Sequence, residues 1–128
     1  LGINVTMSQF FQIHPDNPQA RLIQQAVEII NNGGVIIYPT DSAYALGCHL
    51  SDKRAMQQIQ SIRKLAANHN FTIVCRDLSD ISTYAKVDNI VYRTLKAHTP
   101  GPYTFILEAT REVPKRLMHD KKKTIGIR

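Results

Sequence analysis

The 128-residue sequence has no tryptophan and only two cysteines, Cys48 and Cys75. Two lone thiols make no disulfide framework, so a reducing compartment, the cytoplasm, is expected. No apolar run approaches the roughly 18 residues of a membrane-spanning helix. The longest notable one is Val35-Ile36-Ile37-Tyr38. The stretch from Leu1 to Phe11 lacks the basic start and small-residue cleavage site of a secretory leader. Met7 reads as a translation start, which would make residues 1–6 an N-terminal extension and residues 7–128 the domain proper.

Several chemical signatures are missing as well. There is no G-x-x-x-x-G-K-[ST] loop, no G-x-G-x-x-G and no G-x-S-x-G elbow. A standard phosphate loop, a dinucleotide fold and a hydrolase triad therefore have no support. The five histidines (His14, His49, His69, His98, His119) are scattered without metal-ligand spacing. Cys48 and His49 are neighbours that point to opposite faces of a strand. No protein-bound metal is expected.

What is present fits one globular domain. Hydrophobic residues make up 43% of the chain, which excludes a fully disordered one. A chain of this length buries roughly two thirds of its unfolded surface. The net charge is +6, but residues 111–128 alone carry seven bases and two acids, +5. The remainder is nearly neutral, so the basic character is a local patch. Such a patch attracts phosphates of nucleotides or nucleic acids. The run Lys121-Lys122-Lys123 reads equally well as a solvated turn before a strand.

Periodicity places the elements. Phe10 to His14 reads as a short strand, and Asn17-Pro18 as a helix start. Leu22, Ile23, Ala26, Val27, Ile29 and Ile30 share one helical face, closed by Asn31-Asn32-Gly33-Gly34. Val35 to Tyr38 is a continuous apolar run, hence a buried strand. Ala45 to Leu50 reads as the next strand. Ser51 or Asp52 caps a second helix, with Ala55, Met56, Ile59 and Ile62 inward. Phe71 to Cys75 reads as a buried strand and Asp77 to Ala85 as a turn with a short helix. Asp88 caps a third long helix, with Ile90, Val91 and Leu95 inward. Tyr103 to Ala109 is a strand, Val113 to Met118 one helical turn, and Thr124 to Arg128 a final strand. Alternating strands and helices predict an α/β fold with a twisted, open, mixed sheet and flanking helices. The final strand reads as an open hydrophobic edge, which predicts a domain incomplete at its C-terminus, or pairing with a second copy as a homodimer.

Three segments carry possible chemistry. The first is Tyr38 to Gly47, leaving the end of a buried strand with hydroxyls on Thr40, Ser42 and Tyr44. Such a loop is a usual ligand position in α/β folds, and it also reads as a turn with hydroxyl caps. The second, Pro100-Gly101-Pro102-Tyr103-Thr104, fixes a corner before a strand. The third is Lys121 to Arg128. Ile125 and Ile127 point one way there, and Thr124, Gly126 and Arg128 the other. Gly126 would let a ligand approach the backbone, and Arg128 could hold a carboxylate through two hydrogen bonds. Cys75, ending an apolar strand, reads as a buried, inert thiol.

The strings GGVIIYPTDSAYALG, PGPYTFIL and KKKTIGIR, in this order, resemble the YrdC/YciO-like family, which includes the threonylcarbamoyl-AMP synthases. The resemblance runs from about Met7 to Arg128. It is closest to the YciO branch, where IHPDNPQ, CRDLSDISTY and HNFT also fit. It implies a YrdC/RibB-like fold with a positively charged concave face. It implies a reaction of L-threonine, bicarbonate and ATP, with magnesium on the phosphates, giving threonylcarbamoyl-adenylate and pyrophosphate for tRNA modification. The alternative it implies is a double-stranded RNA or tRNA binder without that activity, or an inactive fragment.

Residue by residue, the resemblance makes Ser42, Arg128 and Cys75 threonine-binding. Arg63, Asn70 and Thr124 become ATP-binding, and Thr40, Tyr44 and Thr104 motif-supporting. No protein nucleophile is implied, because positioning and charge neutralisation do the catalysis. Against the family's Lys-x-Arg signature, Arg63 keeps the first charge, while Leu65 replaces the arginine and Ala66 the following proline. A Ser-x-Asn nucleotide segment is absent from the 128 residues.

Overall fold

A computed structural model describes residues 8–65 and 70–128. The expected start at Met7, the extension 1–6, Ala66 and His69 lie outside the described residues. The elements run α1 (Ala20–Asn31), β1 (Ile36–Pro39), β2 (Tyr44–Gly47), α2 (Lys53–Arg63), β3 (Thr72–Ile73), α3 (Leu78–Tyr84), α4 (Asn89–His98), β4 (Phe105–Glu108) and β5 (Thr124–Ile127). The chain is a mixed α/β protein with flanking helices, as expected. Among the described residues no helix is long and apolar enough to cross a membrane.

The helix starts follow local chemistry. Asp52, Asp77 and Asp88 each accept a hydrogen bond from the backbone N–H three residues on, at 2.9, 2.8 and 2.8 Å. Each carboxylate thus satisfies a donor that the first helical turn leaves open. At Asp77 the backbone N–H of Asp80, more than any other contact, holds the carboxyl below its usual range. At the end of α1, Gly33 takes φ +88°, the left-handed geometry that glycine accepts without a steric penalty. A Cβ on Gly34 would lie 2.5 Å from the Ile29 side chain and 2.7 Å from its carbonyl, so the turn packs directly on the helix.

The expected strand from Phe10 to His14 does not form within the described residues. Phe10 is 91% exposed, and no strand lies alongside it. The segment builds a turn instead. His14 Nδ1 accepts from the N–H groups of Asp16 and Asn17, and the His14 N–H donates to the Gln19 side chain. With Asn17 in that turn, α1 begins at Ala20, with Gln19 as its N-cap residue, rather than at Asn17-Pro18. No α1 residue is fully buried, and Ile23 and Val27 stay exposed. Ile62 and Ile90, expected inward, are exposed too.

The strands fall into two groups. β1 and β2 form an antiparallel hairpin, with Ile36 opposite Gly47 and Pro39 opposite Tyr44. A lone hairpin has one covered face, so β1 alternates and Ile37 is 71% exposed, where a fully buried strand was expected. The second group is a three-stranded mixed sheet in the order β3-β5-β4. β5 runs parallel to β3 and antiparallel to β4. The final strand is therefore central and paired on both sides, not an open edge. An open edge at β5 therefore gives no reason to expect pairing with a second copy there.

Ile125 and Ile127, on one face of β5, are buried at the centre of the core. They pack with Met56, Ile73, Ile81, Leu95, Val113 and Leu117. Burying each such side chain contributes about 1.5–3 kcal/mol. Val113 and Leu117 come from the connection between β4 and β5, where residues 115–117 form a turn closed by Leu117 N–H to Pro114 O.

Candidate functional site

The β1–β2 hairpin ends in a loop, Thr40 to Ala43, organised by one hydroxyl. Thr40 Oγ1 accepts from the N–H groups of Ser42 (3.3 Å) and Ala43 (3.1 Å) and donates to the Ala43 carbonyl. The Ser42 hydroxyl stands 3.3 Å from that of Thr40. This is the hydroxyl-capped turn that Ser and Thr favour. It leaves Asp41 and Ser42 projecting at the tip.

Arg128 meets this tip from the end of β5. Its backbone is fixed by β3, with its N–H donating to Ile73 O (2.9 Å) and its carbonyl accepting from Cys75 N–H (2.8 Å). Its side chain leaves on the face opposite Ile127. Arg128 Nη2 donates to Asp41 Oδ1 at 2.8 Å and to Ser42 Oγ at 3.4 Å. The ion pair is partly open to solvent, with the Arg128 and Asp41 side chains 30% and 46% exposed. Ser42 and Arg128, 86 residues apart in sequence, thus lie at one place.

The same face of the sheet continues upstream along β5. Gly126 lies opposite Thr72 on β3 and Ile106 on β4. A Cβ at Gly126 would stand 3.1 Å from Thr72 Oγ1 and 3.5 Å from Thr104 Cγ2. Glycine therefore keeps an open floor between the Thr72 hydroxyl and the Thr104 methyl, with exposed Ile106 and Val74 as its apolar part. Thr124 sits two residues before Gly126 at the other end of the strand, opposite Glu108. Asn70, exposed, precedes Thr72 by two residues on the neighbouring segment.

Other expected site residues lie differently. The Cys75 backbone bonds Arg128, but its side chain packs against the core cluster. Burial first, then Asp80 and Asp77, push its thiol up to about 11, so it stays protonated at neutral pH. Cys48 is raised in the same direction, again mainly by burial. Arg63 is exposed at the C-terminal end of α2, and Tyr44 is exposed at the start of β2. Lys121 to Lys123 form a solvent-exposed turn in which His119 Nδ1 accepts from the Lys121 and Lys122 N–H groups. Among the described residues no group of three or more His, Cys, Asp and Glu could hold a metal ion.

Asp41 is the residue that reading the sequence missed. It is the one carboxylate in a loop otherwise noted for its hydroxyls, and that was the available signal. A cleft of about 390 Å³ lies between the hairpin and β3, lined largely by apolar groups such as Ile36, Tyr38, Leu46, Met56 and Ile73, and it shares Thr72 and Val74 with the sheet face. It touches neither Ser42 nor Arg128. The contacts among Asp41, Ser42 and Arg128 lie outside it.

Comparison with known proteins follows the same lines. The sequence profile of the Sua5/YciO/YrdC family, described as telomere recombination, matches residues 28–128. The chain is 65% identical over 122 residues to YciO of Escherichia coli strain K12, an uncharacterized protein, covering 95% of this chain and 59% of that one. The crystal structure of E. coli YciO superposes with a TM-score of 0.89 over the same shares. A threonylcarbamoyl-AMP synthase of Chromobacterium violaceum is 36% identical over 104 residues, 80% of this chain and 54% of that protein. P. abyssi Sua5 complexed with L-threonine shares the fold, with a TM-score of 0.79 at 23% identity over 88% of this chain and 33% of that one. The chain thus spans a little over half the length of the curated relatives it matches.

Proposed function

The chain belongs to the Sua5/YciO/YrdC family, and on that premise we propose that its open sheet face binds L-threonine beside ATP for a threonylcarbamoyl-AMP synthase-type reaction. The observation that carries this reading is the meeting of the Ser42 hydroxyl and the Arg128 guanidinium at 3.4 Å. A guanidinium is suited to a carboxylate, and a hydroxyl beside it to a small polar side chain. The relative named as a threonylcarbamoyl-AMP synthase supports the reaction class, and the L-threonine complex of P. abyssi Sua5 supports the ligand.

In this reading the threonine ammonium gives up a proton to solvent, and the free amine captures bicarbonate, with loss of water, as a carbamate. A carbamate oxygen then attacks the α-phosphorus of ATP and pyrophosphate leaves. Magnesium arrives with the nucleotide as part of the substrate. The protein orients: Arg128 and Ser42 hold the amino acid, and Gly126 opens the floor. The resemblance assigns Thr124, Asn70 and Arg63 to the nucleotide. No residue forms a covalent bond, and the rate gain comes from alignment and charge neutralisation. Leu65 in place of the signature arginine removes one charge-assisted hydrogen bond, which weakens nucleotide affinity by roughly ten- to a hundredfold.

The test is to incubate the protein with ATP, L-threonine and bicarbonate and follow pyrophosphate. Release that depends on threonine supports the reading; release no greater than in its absence overturns it. The exposed basic turn at Lys121 to Lys123 favours a second reading, binding of tRNA or double-stranded RNA. That reading requires affinity falling steeply with salt, by about 0.9 log units per tenfold salt for each phosphate neutralised.

A further inference from the structure

We propose that Asp41 makes the site selective for a zwitterion, exchanging its partner from the Arg128 guanidinium to the α-ammonium of an incoming amino acid. The inference rests on the reading of Arg128 as the carboxylate holder and adds a residue and a selection rule to it.

The starting point is the 2.8 Å ion pair at the hairpin tip. Without ligand, each charge satisfies the other. Both side chains remain partly exposed, so a small ion can reach either. A bare carboxylate arriving at Arg128 meets Asp41 already there. Two carboxylates then compete for one guanidinium, and the displaced one loses its partner. An uncompensated charge in a partly desolvated site is costly.

An α-amino acid brings its own solution. Its ammonium sits on the carbon next to its carboxylate, so opposite charges arrive in one rigid unit. When the ligand carboxylate takes Arg128, the ligand ammonium takes Asp41. Two ion pairs replace one and no charge is left alone. Ser42 Oγ, 3.4 Å from the same guanidinium nitrogen, remains for the ligand's third polar group. The repulsive partner is what rejects the wrong ligand, and discrimination of this kind exceeds what an added attraction alone supplies.

A simpler role, in which Asp41 only anchors the arginine, predicts a different result. Removing an anchor weakens every carboxylate alike. Removing a competitor strengthens a carboxylate that has no amine.

The experiment is calorimetric titration of the 128-residue protein with L-threonine and with β-hydroxybutyrate of matching hydroxyl configuration, which is threonine without its amino group. In the wild type, threonine is expected to bind at least about tenfold tighter. In Asp41→Asn the gap should shrink below about threefold, with β-hydroxybutyrate binding more tightly than to the wild type. Asp41→Glu should keep a gap, and equal melting temperatures would show that the variants fold. Parallel weakening of both ligands in Asp41→Asn, or an unchanged gap, overturns the role of Asp41 and leaves the threonine site standing. So does equal binding of both ligands by the wild type. Failure of the wild type to bind either ligand overturns the site and the inference together.

Discussion

The Arg128 guanidinium stands 3.4 Å from the Ser42 hydroxyl, across 86 residues of sequence. Local chain chemistry places only one of the two. Arg128 is placed by backbone bonds to β3, and Ser42 by the Thr40-capped turn. The site is a product of topology, in which a hairpin tip meets the end of a central strand.

Replacing Arg128 should therefore separate binding from folding. Arg128→Ala is expected to lower L-threonine affinity by roughly ten- to a hundredfold, the range of a charge-assisted hydrogen bond. Arg128→Lys keeps the charge but not the planar fork, so it should recover only part of that loss. Titration calorimetry reads the affinities. Unfolding midpoints should change little, because the backbone bonds to Ile73 and Cys75 remain.

Gly126 lends itself to a complementary test. Gly126→Ala puts a methyl 3.1 Å from the Thr72 hydroxyl on the open face. That hydroxyl can turn aside, so the stability cost should stay within about 1 kcal/mol. ATP affinity should fall about tenfold, because the floor is raised where the ligand approaches. Equal affinity in the two proteins would move the nucleotide off this face.

On the other side of the same strand, Ile127 is fully buried. Ile127→Ala should cost about 2–5 kcal/mol, through lost transfer energy and a residual cavity. Urea denaturation measures this, and a loss below 1 kcal/mol would contradict the central place of β5.

The thiols give a pH dependence. Burial raises Cys75 from its ordinary value of 9.0 to about 11. Between those values the unfolded chain releases the proton and the folded one keeps it. Ionisation then favours the unfolded state, so the stability contributed by the protonated thiol is lost as pH climbs from 9 towards 11. Cys48 acts in the same direction. The fall should be shallower in Cys75→Ser, measured by urea midpoints across that range.

Much of the local structure was legible. The caps at Asp52, Asp77 and Asp88 follow from a carboxylate three residues ahead of a free N–H, which is short-range chemistry. The alternation along Thr124 to Arg128 revealed which face is buried, because strand periodicity is written residue by residue. Partner choice was not legible. β5 looked like an edge because its neighbours lie far away in sequence, Thr72 being paired with Gly126. Phe10 to His14 has strand-like composition, but no partner strand stands beside it among the described residues. Asp41 was missed because a list of hydroxyls says nothing of what approaches from residue 128. The face presented by Ile62 or Ile90 is settled by what packs against the helix, and helical spacing alone does not contain that.

The central position of β5 has a consequence for synthesis on the ribosome. When the nascent polypeptide has emerged only as far as Glu108, β3 and β4 have no strand to join them. Their hydrogen-bonding groups face water, and the apolar side chains that will surround Ile125 and Ile127 have nothing to close over. Residues 124–127 must clear the exit tunnel before this sheet can zip together. During that interval the half-made molecule is a natural client for chaperones that shield unpaired strands.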